Sequence, residues 1–137
     1  MTAVKIWNAT DLGLARLGAI APEAVRQTTI EALVDTGAVT MVIPEDVARL
    51  LDLPVLELRT VTLADGTQRQ VPKVGELRIE ILGRQMTCDA FVTPSGTTPL
   101  IGQIPLEDLD LIVDPGTREI RVRSEEGPRA LLLHVAA

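Results

Sequence analysis

The run Ala32-Leu33-Val34-Asp35-Thr36-Gly37-Ala38 constrains this chain more than any other stretch. Apolar residues carry a strand up to a carboxylate, and Thr-Gly then breaks it, with only a small side chain beyond. An aspartate in this setting can bond to its own backbone two residues on, so Asp-Thr-Gly is good turn chemistry in its own right. The segment therefore predicts a strand ending in an acid held in a half-buried loop. It occurs once, in a chain with few other reactive centres.

Composition removes most competing chemistries. At 137 residues the chain fits one domain, large enough to bury roughly two-thirds of its unfolded surface. With 46% apolar residues and only Trp7 and Phe91 as aromatics, the core must be aliphatic. A net charge of −6 argues against phosphate-backbone binding, and the lack of aromatics against base stacking, so no nucleic-acid partner is expected. The nearest basic cluster, Arg118 to Arg123, alternates with Ile120 and Val122 and reads as the solvated face of a strand. One cysteine (Cys88) and one histidine (His134) cannot build a Cys/His zinc site, so neither metal nor cofactor is expected. A serine triad would need His134 with Ser95 or Ser124, both in turn-like polar surroundings; Thr93-Pro94-Ser95-Gly96 suits a type I turn. Carboxylate chemistry remains. Lys5, Asp11 and Arg16 interrupt any apolar leader, and no apolar run reaches membrane-spanning length. Cys88 cannot pair within the chain, which suits a reducing, cytoplasmic setting. The sequon Asn8-Ala9-Thr10 reads as coincidence.

Most of the chain reads as short strands between turn signals, hence a mainly β domain with one or two short helices. The predicted strands include Ala3–Trp7, Gln27–Val34, Thr40–Ile43, Leu56–Leu63, Thr67–Val71, Glu76–Leu82, Gln85–Val92, Leu111–Val113 and Glu119–Val122. Leu77, Ile79 and Ile81 alternate with Glu76, Arg78 and Glu80, as a half-buried strand requires. Asp65-Gly66 is a hairpin signal of the kind that takes positive φ at both central residues. Helices are predicted over Pro44–Leu51 and Pro105–Asp110; Glu45 and Asp46 are neighbours about 100° apart on the first, which is no catalytic pair. Asp11–Glu23 is ambiguous between loop and helix. A single domain over 1–137 is expected, with a core about 27–123, an N-terminal strand and loop 1–26, and a tail 124–137, apolar over Arg129 to Val135, that could join a dimer interface.

In order, the acid loop Leu33-Val34-Asp35-Thr36-Gly37-Ala38, Val42-Ile43-Pro44, the Asp65-Gly66 hairpin, Leu100-Ile101-Gly102 before a short helix, and the Asp114-Pro115 corner resemble single-domain retropepsin-like aspartic proteases. The resemblance spans about Ala32 to Val122. It implies a closed β-barrel of the acid-protease fold, active as a homodimer in which two copies of Asp35 share a peptide or protein substrate. Peptide hydrolysis without metal or covalent intermediate needs a base for water and an acid for the carbonyl oxygen, and two carboxyls in contact supply both. By the same resemblance Thr36 braces the paired loops, Gly37 offers its main chain to substrate, and Ala38 leaves room for an extended peptide. Leu63, Ala64, Asp65, Gly66, Thr67 and Gln68 would form a flap, and Leu100, Ile101 and Gly102 would support the acid loop from behind. The chain departs from retroviral enzymes in a flap poorer in glycine and in Val39, where an acid is common. It departs from the pepsin-like branch in having no aromatic in the flap.

Three readings of function follow: an aspartic endopeptidase; a peptide-binding or dimerisation module that keeps the fold without cleaving; and an unrelated small β domain in which Asp35 only caps a turn.

Overall fold

A computed structural model describes residues 1–123; the expected interface tail 124–137, with Ser124 and His134, lies outside the described residues. Among the described residues, nine strands and three α-helices follow in the order β1 (Thr2–Asn8), α1 (Ala9–Arg16), β2 (Gln27–Val34), β3 (Met41–Pro44), α2 (Glu45–Leu50), β4 (Val55–Thr62), β5 (Gln68–Ile81), β6 (Arg84–Thr93), β7 (Leu100–Ile101), α3 (Gln103–Asp108), β8 (Leu111–Val113) and β9 (Ile120–Val122). The main sheet runs β1-β2-β7-β3-β6-β5-β4. Lys5–Asn8 of β1 also pair with Glu80–Leu77 of β5, which closes six strands into a barrel and leaves β4 outside it. This is the mainly β, closed-barrel architecture expected of the retropepsin-like fold. Among the described residues no helix is long and apolar enough to cross a membrane.

The barrel interior is aliphatic. Val4, Ile6, Met41, Ile43, Leu77, Ile79, Ile81 and Ile101 are wholly excluded from solvent. Each such side chain is worth about 1.5–3 kcal/mol in apolar transfer, so the alternating pattern of β1 and β5 fixes which face turns inward.

Several local expectations are corrected. The expected strands Thr67–Val71 and Glu76–Leu82 merge, but for their outer ends Thr67 and Leu82, into one 14-residue strand, β5. Its second half belongs to the barrel, and its first half pairs with β4 as an arm that stands away from it. The join is irregular on both sides, with register shifts between Val55 and Glu57 and between Val74 and Leu77. Gly75 sits there because a Cβ would come within 2.7 Å of Asp89 Oδ1. Pro72 is tolerated because pairing with β6 begins only at Lys73, so no ladder bond is lost on that side. The hairpin at Asp65-Gly66 has positive φ at Gly66 alone. Gly66 N–H donates to Leu63 O and Leu63 N–H to Thr67 O, a three-residue loop with glycine in the left-handed position. The turn after β6 closes at Pro94–Thr97 with left-handed Gly96 third, instead of type I at Thr93–Gly96.

Among the described residues there are three α-helices, one more than the upper expectation, and the third is α1, which runs into the ambiguous stretch. Asn8 explains it. Its side chain accepts from Asp11 N–H as the N-cap, while its amide donates to Leu51 O at 2.9 Å. Asp11 is buried and accepts from Arg26 N–H, with Arg26 Nε at 3.4 Å. These bonds knit the N-terminal segment to β2 and the end of α2, and they bury the sequon asparagine. Replacing Asn8 by Ala removes a cap and leaves Leu51 O without its partner. We expect a loss of about 2–3 kcal/mol, read as a lowered midpoint in urea unfolding followed by circular dichroism.

Candidate active site

β2 carries the chain to Asp35, and β7 holds it there. Leu33 and Val34 pair in parallel with Leu100 and Ile101, and Leu100 pairs on its other side with Val42 of β3. The two-residue β7 is therefore wedged between the strand that enters the acid loop and the strand that leaves it. Leu33 N–H donates to Pro99 O and Asp35 N–H to Ile101 O, each at 3.0 Å. From α3, Gln103 N–H and Ile104 N–H donate to Ala38 O and Val39 O, both at 2.8 Å. Within the loop, Ala38 N–H donates to Asp35 O, and Gly37 N–H to Asp35 Oδ1 at 2.9 Å. Main-chain bonds thus hold the loop on both sides of the acid, and the Gly37 donation orients one carboxylate oxygen.

Gly102 makes this possible. A Cβ at that position would lie 2.2 Å from Thr40 O, 2.7 Å from Ala38 O and 2.8 Å from Thr40 N, all backbone atoms. Thr40 itself is buried and donates its hydroxyl to Asp89 O on β6 at 2.9 Å. Sequence reasoning missed Thr40, because the bond joins residues far apart in the chain and has no local signal.

The loop's front face is open. Asp35, Thr36 and Gly37 are exposed in the single chain, which corrects the expectation of a half-buried acid: no other part of the described chain covers them. The Thr36 hydroxyl has no hydrogen-bond partner among the described residues, and Thr36 lines a cavity of about 350 Å³ with Gln103, Leu106 and Arg123. Leu33 and Val39 are also exposed beside the acid.

A larger cleft of about 780 Å³ opens next to the loop, between α2, the arm and β6. It reaches the loop at Ala38 and Val39, and Leu63 and Val61 of the arm form part of its wall. Of the expected flap residues only Leu63 lines this cleft; Ala64, Asp65, Gly66, Thr67 and Gln68 form the exposed tip. At that tip the Thr67 hydroxyl and then its N–H donate to Asp65 Oδ1, which holds the Asp65 carboxyl below its ordinary range and stiffens the turn. At the arm's base, Lys73 bridges Asp89 at 3.3 Å and Glu57 at 3.8 Å, and Arg59 lies over the Phe91 ring. No group of three or more potential metal ligands occurs among the described residues.

Behind the loop, burial and then the Asp89 carboxylate push the Cys88 thiol up to about 12. The thiol is therefore protonated at pH 8, and we expect its reaction with a disulfide reagent to run at least about tenfold slower than in the urea-unfolded chain. A Gly102→Ala change forces backbone apart beneath Asp35. It should cost about 3 kcal/mol or more in urea unfolding, well above an ordinary surface glycine replacement.

A family model described as gag-polyprotein putative aspartyl protease matches residues 23–108, more than half of the chain. No curated protein matches it. The matched region runs from the approach to β2 through the whole of α3, and so includes the acid loop, the arm and β7. The chain belongs to the gag-polyprotein aspartyl protease family, a retropepsin-like group.

Proposed function

We propose that this chain is a homodimeric aspartic endopeptidase that hydrolyses peptide bonds in extended polypeptide. The observation that carries the reading is the placement of Asp35: exposed, fixed by main-chain bonds from behind, and beside an apolar cleft wide enough for a peptide side chain. A lone carboxylate there lacks the second group that the chemistry needs. A two-fold axis passing beside the loop brings the partner's identical acid to it, since an isologous contact sets the same patch against itself. The exposed Leu33 and the unpartnered Thr36 hydroxyl border Asp35 and become contacts in that arrangement.

Two carboxyls in contact cannot both ionise readily, so they share one proton. The ionised member takes a proton from water as the water oxygen attacks the scissile carbonyl carbon. The protonated member gives its proton to the carbonyl oxygen, yielding a gem-diol. Collapse then breaks the C–N bond: one diol hydroxyl returns a proton to a carboxylate, and the other carboxyl protonates the departing nitrogen. No cofactor enters any step. Gly37 offers main chain to the peptide, and the arm, with Leu63 over the cleft, closes upon it as an added strand. The single Cys88 fits work in a reducing, cytoplasmic compartment.

The test is cleavage of a diverse peptide library from acidic to neutral pH, with Asp35→Asn as control and sedimentation to give the assembly mass. A dimer is expected, with hydrolysis falling at least about 10²–10³-fold in the variant. Equal cleavage by both proteins overturns the mechanism. Peptide binding without cleavage by the unaltered protein favours a binding module instead.

A further inference from the structure

The wall of the large cleft is mostly aliphatic, but four charged residues reach it: Glu45, Arg49, Asp52 and Arg69. Three of them are already neutralised. Glu45 and Arg49 pair with each other one helical turn apart on α2, and Asp52 binds Arg26 Nη1 at 2.6 Å. Arg69 has neither an ion pair nor a hydrogen bond to its side chain among the described residues. It stands opposite Val61 in the β4–β5 register and two residues before Val71, so Val61, Arg69 and Val71 share one face of the arm. All three line the cleft. The arm thus presents one guanidinium without an ion-pair partner among the described residues, beside neutral, mostly apolar wall residues of the same arm.

We propose that Arg69 is a specificity residue that selects substrates carrying a carboxylate two residues from a large aliphatic side chain. The inference rests on the cleft being the substrate channel argued above. Alternate side chains of an extended peptide fall on the same face about 7 Å apart, so an aliphatic residue seated in the cleft carries its second neighbour along the same wall. A guanidinium matches a carboxylate with two parallel N–H donors, which a neutral amide cannot accept equally well. An acidic peptide would supply the charge the wall lacks. A basic residue at the same position would meet Arg69 with like charge.

Matched peptides with one leucine as the large aliphatic residue, and with Glu, Gln or Lys two positions before or after it, test this. For the unaltered protein, kcat/KM should favour Glu over Gln by about tenfold in at least one direction, and the ratio should shrink as salt rises. Arg69→Gln should bring the ratio close to one, and Arg69→Glu should invert it in favour of Lys. Equal rates for Glu, Gln and Lys, or a Glu preference that survives Arg69→Gln, overturn the assignment. Fluorescence anisotropy with the same peptides on Asp35→Asn separates the two ideas. Tighter binding of Glu peptides that no form cleaves sinks the protease reading and keeps Arg69. Cleavage that depends on Asp35 but ignores the charge sinks Arg69 alone. Neither binding nor cleavage of any peptide sinks both.

Discussion

The site depends on one steric constraint: backbone must pass against backbone beneath the acid loop. Gly102 lies so close to the Ala38 and Thr40 main chain that no side chain fits between them. That contact lets β7 slip between β2 and β3 and lets the first residues of α3 bond the loop's carbonyls. Remove the close approach and the donors from Gln103 and Ile104 no longer meet Ala38 and Val39. The position of Asp35 is therefore set by residues distant in sequence as well as by its own loop. Pre-set geometry of this kind matters because proton transfer tolerates little error in position.

β5 shows how one strand serves two purposes. Its second half presents Leu77, Ile79 and Ile81 to the core and is bonded on both edges, to β1 and to β6. Its first half leaves the barrel and has a strand on one edge only through most of its length. The ion pairs of Lys73 with Glu57 and Asp89 lie where the halves meet, as does Arg59 over Phe91. The base of the arm is thus anchored by these contacts, whereas its tip is exposed.

Much of this was legible in the sequence because its signals are local. Alternation in Glu76–Leu82 marks a half-buried strand, Asp65-Gly66 marks a hairpin, and the acid loop announces itself by its residue order. The failures share a cause. Pro72 and Gly75 interrupt the pattern of β5, and only the lack of β6 pairing at Pro72 and the crowding of Asp89 against Gly75 explain why the strand continues. Asn8 resembles a glycan acceptor until its bond to Leu51 O is seen. Thr40 and the isolation of Arg69 likewise depend on which distant groups are or are not nearby. The turn type at Gly66 went wrong for a smaller reason: a dipeptide signal does not fix the loop length.

The closure of the barrel has a kinetic side. β1 meets β2 across the connection that holds α1, but its other edge must wait for the more distant β5, so Lys5 meets Glu80 only after most of the chain has been laid out. Contacts between such distant residues form slowly, because the intervening loop must lose its freedom before they reward it. Until then β1 offers an unsatisfied edge and a row of aliphatic side chains to anything nearby. β1, which lies outside the family-matched region, is thus a strand on whose late docking an orderly path to the native state depends.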